Sequence, residues 1–429
     1  MSSCFLFFPQ KQKNMIKIIR AHFSLLAATA ILLLGSGLLG TLVALRAGAE
    51  SFSQPMIGLI MSGFFMGYVI GSYLCPHVIR NFGHIRSFSV FAAMGCVSVI
   101  LHGLIIDPTI WLILRIITGI CMLGMYLVIE SWINSVATSK TRGRVFSIYM
   151  AINLLSLGCG QYLLLVYDIK SLAPFALIAL FFSLALVPIA LTRITQPAQV
   201  ETGRLGIKHL YTTSPLASYG ALLSGIVNGA FWGMGPVYAL NAGFDVSGIA
   251  LFMSGVVFGG SLLQWPLGHL SDQHDRRLVI LAVSVMASIA AIAVFYLINS
   301  HQALGLLAAF IFGGCAFSIY SLSMAHANDQ IKPEDILETS RGLLLLSGIG
   351  ATIGPLSAGL LMGWLGAHTL MLYFSALMLL LACFALMRRF IGSPISTAEQ
   401  GDFVIMVRSS PAMLELDPRV KPIDDIDGS

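Results

Sequence analysis

The stretch Gln264-Trp265-Pro266-Leu267-Gly268-His269-Leu270-Ser271-Asp272-Gln273-His274-Asp275-Arg276-Arg277 decides how this chain must fold. A long apolar run leads into it, and another leaves it at Leu278. Runs of that length, so poor in charge, read as membrane-spanning helices. The charged knot between them then has to be a tight turn at a water interface. Asp272 falls just past the end of the first helix, and Arg276 and Arg277 follow closely. An acid–base knot of this kind can clamp neighbouring helix ends and release them when the protein changes shape.

Composition points the same way. Of 429 residues, 57% are hydrophobic and only 10% are charged, where a soluble domain carries about 25% charged residues. That deficit excludes a water-soluble surface and predicts an all-α polytopic membrane protein. The cysteines Cys4, Cys75, Cys96, Cys121, Cys159, Cys315 and Cys383 are scattered, mostly inside apolar runs, and read as small apolar fillers. No metal spacing occurs, so no metal and no cofactor are expected. The net charge of +5 resides in short loops and tails and calls for no nucleic-acid partner. The sequence has no P-loop, G-x-S-x-G, H-E-x-x-H or dinucleotide fingerprint. An enzyme and an ATP-driven pump are both disfavoured on that ground.

Working outward from the knot, twelve apolar runs appear, near 22–45, 54–79, 87–106, 110–132, 144–166, 172–192, 215–240, 247–270, 278–298, 303–325, 342–365 and 369–390. Most are long enough to cross a hydrocarbon core of ~30 Å at about 1.5 Å per residue. With the N-terminus inside, all of the 24 lysines and arginines except Arg46, Lys170 and Arg115 fall in inner segments. That asymmetry predicts cytoplasmic termini and an even number of crossings. Residues 1–20 form a cytoplasmic segment; its short apolar part precedes its charges, unlike a secretory signal. Met15 is a second candidate start. A polar segment at 193–214, rich in Thr, Gln, Pro and Gly, reads as a linker between six-helix bundles at 21–192 and 215–390. The tail at 391–429 is expected to be a disordered cytoplasmic extension. Pro76 to Arg86 repeats the Gly268 knot in the first bundle, with Arg80 where the second copy has Asp272.

The wording Gly268-x-Leu270-x-Asp272-x-x-x-Arg276-Arg277 resembles the loop signature of the major facilitator superfamily. That family carries it between helices 2 and 3, with a fainter copy between helices 8 and 9. Here the better copy is the second, and Asp275 stands where a glycine is usual. Leu112-x-x-Arg115-x-x-Thr118-Gly119 resembles the family's helix-4 signature. Ile129-Glu130-Ser131, Arg142-Gly143-Arg144, Gln264-Trp265-Pro266-x-Gly268 and Gly354-Pro355 are similar to the YcaD-like bacterial branch. The resemblance covers about 21–390. It implies two pseudo-symmetric six-helix bundles joined as parallel repeats.

Several residues are candidates for coupling or gating. Arg115 sits inside helix 4, where a guanidinium is costly and should face the bundle interior or a water-filled cavity. The resemblance associates that arginine with proton coupling in some members; a structural arginine bonded to carbonyls is the alternative. Glu130 is the acid well inside an apolar run. It reads either as a proton-titrating carboxylate or as a gate carboxylate tied to Arg142 or Arg144. His102 is a further titratable candidate, and Asp272, Arg276 and Arg277 form the clamp. The acids of the loop from His326 to Arg341, Asp329 among them, are expected to meet basic inner loops.

Candidate solute contacts are polar or aromatic residues inside the runs. They are Thr41, Asn153, Gln161, Asn228, Trp232, Tyr238, Gln264, Trp265 and Tyr320. Asn228 to Tyr238 is a Gly- and Pro-interrupted segment of the kind that forms midplane binding elements. Ordinary interhelical packing and an interfacial aromatic belt account for the same residues equally simply. Gly158, Gly160, Gly235, Pro236, Gly350, Gly354 and Pro355 are candidates for close packing or bending. Gly350 to Pro355 resembles a signature that many exporters carry in helix 5, displaced here to helix 11.

The expectation is a monomeric secondary transporter of a bacterial inner membrane. It would move a small organic solute by alternating access, lined by helices 1, 4, 5, 7, 8, 10 and 11. Coupling to a proton gradient and export of a drug, metabolite or siderophore are the preferred forms. Uptake or uniport of a sugar or organic acid is the rival. A non-transporting receptor or scaffold on the same fold is a third reading. The scarcity of buried acids argues against a strongly cationic solute.

Overall fold

Each of the twelve apolar runs forms one long helix in a computed structural model of the chain. The structure describes residues 7–136, 142–191, 213–332, 335–391, 400–401, 403–405 and 410–414. The helices are α1 (Phe7–Ala49), α2 (Gln54–Phe82), α3 (His84–Leu104), α4 (Pro108–Val136), α5 (Arg142–Gly160), α6 (Ala173–Ala190), α7 (Pro215–Asn241), α8 (Val246–Gln273), α9 (Arg276–Leu297), α10 (Gln302–Asn328), α11 (Ile336–Leu365) and α12 (Thr369–Ile391). Gln161–Leu165 extends α5 as a tighter turn. Eleven of the twelve are long and apolar enough to cross a membrane. The exception is α7, whose serines, asparagines and glycines lower its hydropathy. Of its 27 residues 19 are buried, so α7 lies among other helices, where packing, not contact with lipid tails, sets composition. Large apolar side chains such as Leu262, Ile289 and Leu380 stand exposed on the outer faces, as a lipid solvent requires.

Small residues set which helices touch. In the first half α2 packs on α4 and α1 on α5; in the second α8 packs on α10 and α7 on α11. A Cβ at Gly67 would lie 2.1 Å from the Ile116 carbonyl oxygen, and one at Gly259 would lie 1.9 Å from that of Phe310. These two glycines share the sequence offset that relates Pro76 to Gly268. Gly37 and Gly229 share it too, as do Gly158 and Gly350. The duplication written in the loops is therefore also written in the glycines that make room for neighbouring helices. The stripe on α11 packs as a unit, with Gly350 against Leu222 and Gly354 against Ile226 of α7. On its opposite face the Pro355 carbonyl meets Gly58 of α2.

The knot that opened the sequence reading is a turn between α8 and α9. Asp275, in place of the usual glycine, caps α9: its Oδ1 accepts the Arg277 backbone N–H at 3.0 Å. Its φ of −55° needs no glycine. Partial burial works against its ionisation, but the hydrogen bonds from Arg277 outweigh this and hold the carboxyl below its usual range. The expected clamp has a different geometry from the motif's. Arg276 pairs with Asp272 at 3.2 Å, but its Nε also donates to Asp329, at the end of α10, at 2.5 Å. Arg277 pairs with Asp275 at 3.0 Å.

The tail departs from expectation in its described residues. Gly401 accepts a hydrogen bond from Arg276 and donates its N–H to Asp329 at 3.0 Å. Phe403 packs where a Cβ on Gly268 would stand. Ser410, Ala412 and Leu414 are buried, and Pro411–Leu414 forms a helical turn against α4 and α11. Apolar residues in this otherwise polar tail give it a surface to bury, so these parts pack on the bundle. The linker expected at 193–214 lies almost wholly outside the described residues.

Candidate functional site

The two halves enclose a cavity of about 580 Å³ lined by α1, α2, α4, α5, α7, α8, α10 and α11. Seven of these helices were expected, and α2 is the addition. Among the lining residues only Tyr73 and His77 are exposed, both in the last turns of α2. The mouth therefore faces the end carrying the α2–α3, α4–α5, α8–α9 and α10–α11 connections, called here the basic end. Pro411 and Ala412 of the tail line it.

At the far end the halves are shut against each other. Gly58 and Gly359 bring α2 and α11 into backbone contact, and the Leu356 N–H donates to Ser62 Oγ at 3.1 Å. At the seam between α5 and α8, Gly158 admits the Phe258 ring, and the Ser254 hydroxyl donates to Tyr162 at 3.1 Å. No helix end is broken to make this closure. Its components are glycines, a proline carbonyl and single hydrogen bonds, a contact that can part without unfolding either half.

Arg115 occupies the inner part of the cavity, with Cζ 4.6 Å above the centre of the Phe64 ring. Its Nε and Nη1 are buried and have no hydrogen-bond partner. Asn153, on α5, lines the same space with both amide atoms unpartnered. Asn228, Trp232 and Gln264 also line it; the Gln264 amide N–H donates to the Phe317 carbonyl at 3.1 Å and its oxygen is unpartnered.

The remaining candidates stand elsewhere. Thr41 donates to Gln161 at 2.6 Å, and Gln161 donates to the Gly37 carbonyl at 2.8 Å, so this pair ties α1 to α5. Tyr238 packs against Phe252, and Tyr320 is buried outside the lining. Trp265 is 68% exposed and stacks on His269, on the outer surface of α8. A helix that places Gln264 directly before Trp265 can turn only one of the two inward, and the polar one turns inward. His102 donates from Nδ1 to the Ser98 carbonyl at 2.8 Å and packs on Trp111 at the far end, away from the lining. Gly235 packs on Met253 and Phe231; Pro236 is buried in a continuous α7.

Glu130 is fully buried one layer behind the cavity wall. It accepts from Tyr149 at 2.5 Å and from Ser410 of the tail. Tyr149 is in turn beside Asn153. Arg144 is exposed, and the side chain of Arg142 lies outside the described residues. Phe64, Phe65, Tyr68 and Tyr126, which form the aromatic wall, were not singled out from sequence. The stripe Met61, Phe65, Tyr68, Ser72 and Pro76 along α2 was the available signal, but lipid-facing helices show similar spacings.

Two six-helix halves around a solute-sized cavity, open at one end and closed at the other, define a membrane transporter. Comparison with known proteins agrees. The model of the Major Facilitator Superfamily matches residues 25–336 and 218–412. An uncharacterized MFS-type transporter of Enterobacter sp. (strain 638) is 30% identical over 349 residues, covering 79% of this chain and 88% of that one. The uncharacterized MFS-type transporter YcaD of Escherichia coli O6:K15:H31 (strain 536 / UPEC) is 29% identical over 357 residues, with the same coverage. The crystal structure of the nucleoside transporter NupG superposes with a TM-score of 0.73 at 15% identity, covering 87% of this chain and 100% of that one. The chain belongs to the major facilitator superfamily and is similar to its YcaD-like members. It is a multi-pass membrane transporter, not an enzyme.

Proposed function

We propose that the protein is a secondary active transporter that moves a small organic solute through the central cavity by alternating access. The observation that carries this reading is the cavity itself, bounded by both halves and sealed at the far end by separable contacts. Rocking the halves would part Gly58 from Pro355 and close the α2 and α11 ends around His77 and Arg341.

Proton coupling is part of the proposal. Glu130 is the buried carboxylate, and the Tyr149 hydroxyl stands between it and Asn153 in the cavity. Solute binding at Asn153 would reorient Tyr149 and change what Glu130 is bonded to. The distribution of lysines and arginines supports cytoplasmic termini in a bacterial inner membrane, which makes the cavity inward-facing. Export is the direction favoured by the Gly350 to Pro355 run.

A metabolite comparison between a deletion strain and its parent, inside cells and in the medium, identifies solute and direction together. The purified protein in liposomes is then given that solute and an imposed pH gradient. Accumulation against the solute's gradient is the expected result, lost in Glu130→Gln. Equilibration alone would mean uniport, and no movement of any solute would refute transport.

A further inference from the structure

Arg115 is the cavity residue that passage of an arbitrary solute does not explain. The residue is 2% exposed, yet two of its guanidinium nitrogens have no hydrogen-bond partner. Among the described residues no carboxylate lies within ion-pair distance of it. An unpaired charge in a low-dielectric interior is disfavoured, so its natural complement is a charge that arrives. Phe64 covers one face of the guanidinium. The guanidinium N–H groups lie in its plane, clear of that ring, and are the donors that a carboxylate or phosphate takes.

The surroundings agree with an anion. Among the described residues the lining holds Arg115, Arg341 and His77, and no aspartate or glutamate. The nearby acid, Glu130, stands behind the wall and already accepts from Tyr149 and Ser410. Asn153, beside Tyr149, adds an amide to the same lining. Asn228, Gln264 and the serines Ser36, Ser72 and Ser347 add neutral polar groups, and most of the remaining wall is apolar or aromatic, with Phe65, Tyr68, Tyr126 and Trp232 facing the same space.

Building on the transporter reading above, we infer that the solute is an organic anion. Its carboxylate or phosphate sits edge-on to Arg115 with Asn153 beside it. Its aromatic or apolar body fills the remainder of the cavity. A cation would be repelled by Arg115, and a neutral body would leave the guanidinium uncompensated.

The test follows thermal unfolding of the purified full chain with single-ring probes that differ in charge: benzoate, phenyl phosphate, benzamide and benzylamine. Acetate and inorganic phosphate serve as headgroup-only controls. A ligand that binds the folded state raises Tm. Benzoate or phenyl phosphate should do so, and which of them does assigns the headgroup; the other probes should have little effect. Arg115→Gln should abolish the anion shift, and Arg115→Lys should keep part of it. An equal shift with benzylamine or benzamide overturns the inference. So does an anion shift that survives in Arg115→Gln, and so does the absence of any anion shift. Should Arg115→Gln fail to fold, Asn153→Leu replaces it, and the charge series on the unaltered chain stands alone. The two readings separate cleanly. Gradient-driven accumulation of a neutral solute would refute the anion and keep the transporter. Anion binding without movement of any solute would refute the transporter and keep the anion site.

Discussion

Gly58→Val should push the protein out of the conformation described here. A Cβ at Gly58 would lie 2.4 Å from the Pro355 carbonyl oxygen and 3.2 Å from the Gly359 Cα. Both neighbours are backbone, so neither can rotate aside, and valine adds two methyl groups beyond that Cβ. Overpacking of this kind costs about 1–3 kcal/mol. The strain falls on the state in which the far ends of α2 and α11 touch. In the opposite state the halves part there and the valine is accommodated. A bias of ~1–3 kcal/mol shifts the ratio of the two states by about 5- to 150-fold.

Ser36 lines the cavity, so a Ser36→Cys reporter reads the shift. A membrane-impermeant maleimide applied from the far side should label it roughly 30-fold faster in the Gly58→Val background, the middle of that range at about 2 kcal/mol. Labelling of the parent chain is subtracted. Unchanged labelling in a normally folded, normally expressed variant would refute the reasoning, because the far-end contact would then not be what distinguishes the states.

Three further outcomes follow from the same contacts. Asp329→Asn should destabilise the basic end more than Asp272→Asn, by about 2–4 kcal/mol against less than about 1 kcal/mol. Asp329 has a nearly buried side chain 2.5 Å from Arg276, whereas Asp272 is 27% exposed and 3.2 Å away; thermal unfolding of the two variants checks the order. The Asp275 carboxyl is held below its usual range, so the stability it contributes is fully present above its unfolded value of about 4 and is lost as pH falls through the folded value. Asp275→Asn should flatten that acid limb of a Tm-against-pH profile. Truncation before residue 400 removes the Ser410 bond to Glu130 and the turn lining the mouth. A Ser72→Cys reporter in the cavity should then label faster from the basic end, and an unchanged rate would show that the tail does not restrict entry.

Much of the architecture was legible in the chain because lipid imposes one strong rule: a buried backbone must satisfy itself. The rule converts apolar length into helices, and all twelve runs became helices. The Gly350, Gly354 and Pro355 spacing was equally readable, since only small residues permit backbone contact. The site was less so. Trp265 and Gln264 are adjacent and both looked suited to a solute, but one faces outward and the other the cavity. Thr41 and Gln161 are separated by most of the first bundle in sequence, yet they satisfy each other. Asp272 looked like the acid of the knot because it is near in sequence, while Asp329 was assigned only a general attraction to basic loops.

Lipid as solvent let the sequence alone establish the membrane class, the twelve crossings, the duplicated halves and the family. These depend on local hydropathy, charge bias and motif spacing, all of which are properties of neighbours along the chain. The tertiary structure decided which polar groups remain unpartnered, that α2 supplies an aromatic wall, that parts of the tail bury against the mouth, and that the cavity opens at one end. Those are facts about helix rotation and long-range contact. A helix's apolar pattern does not specify which face meets a cavity when lipid and protein interior are equally apolar.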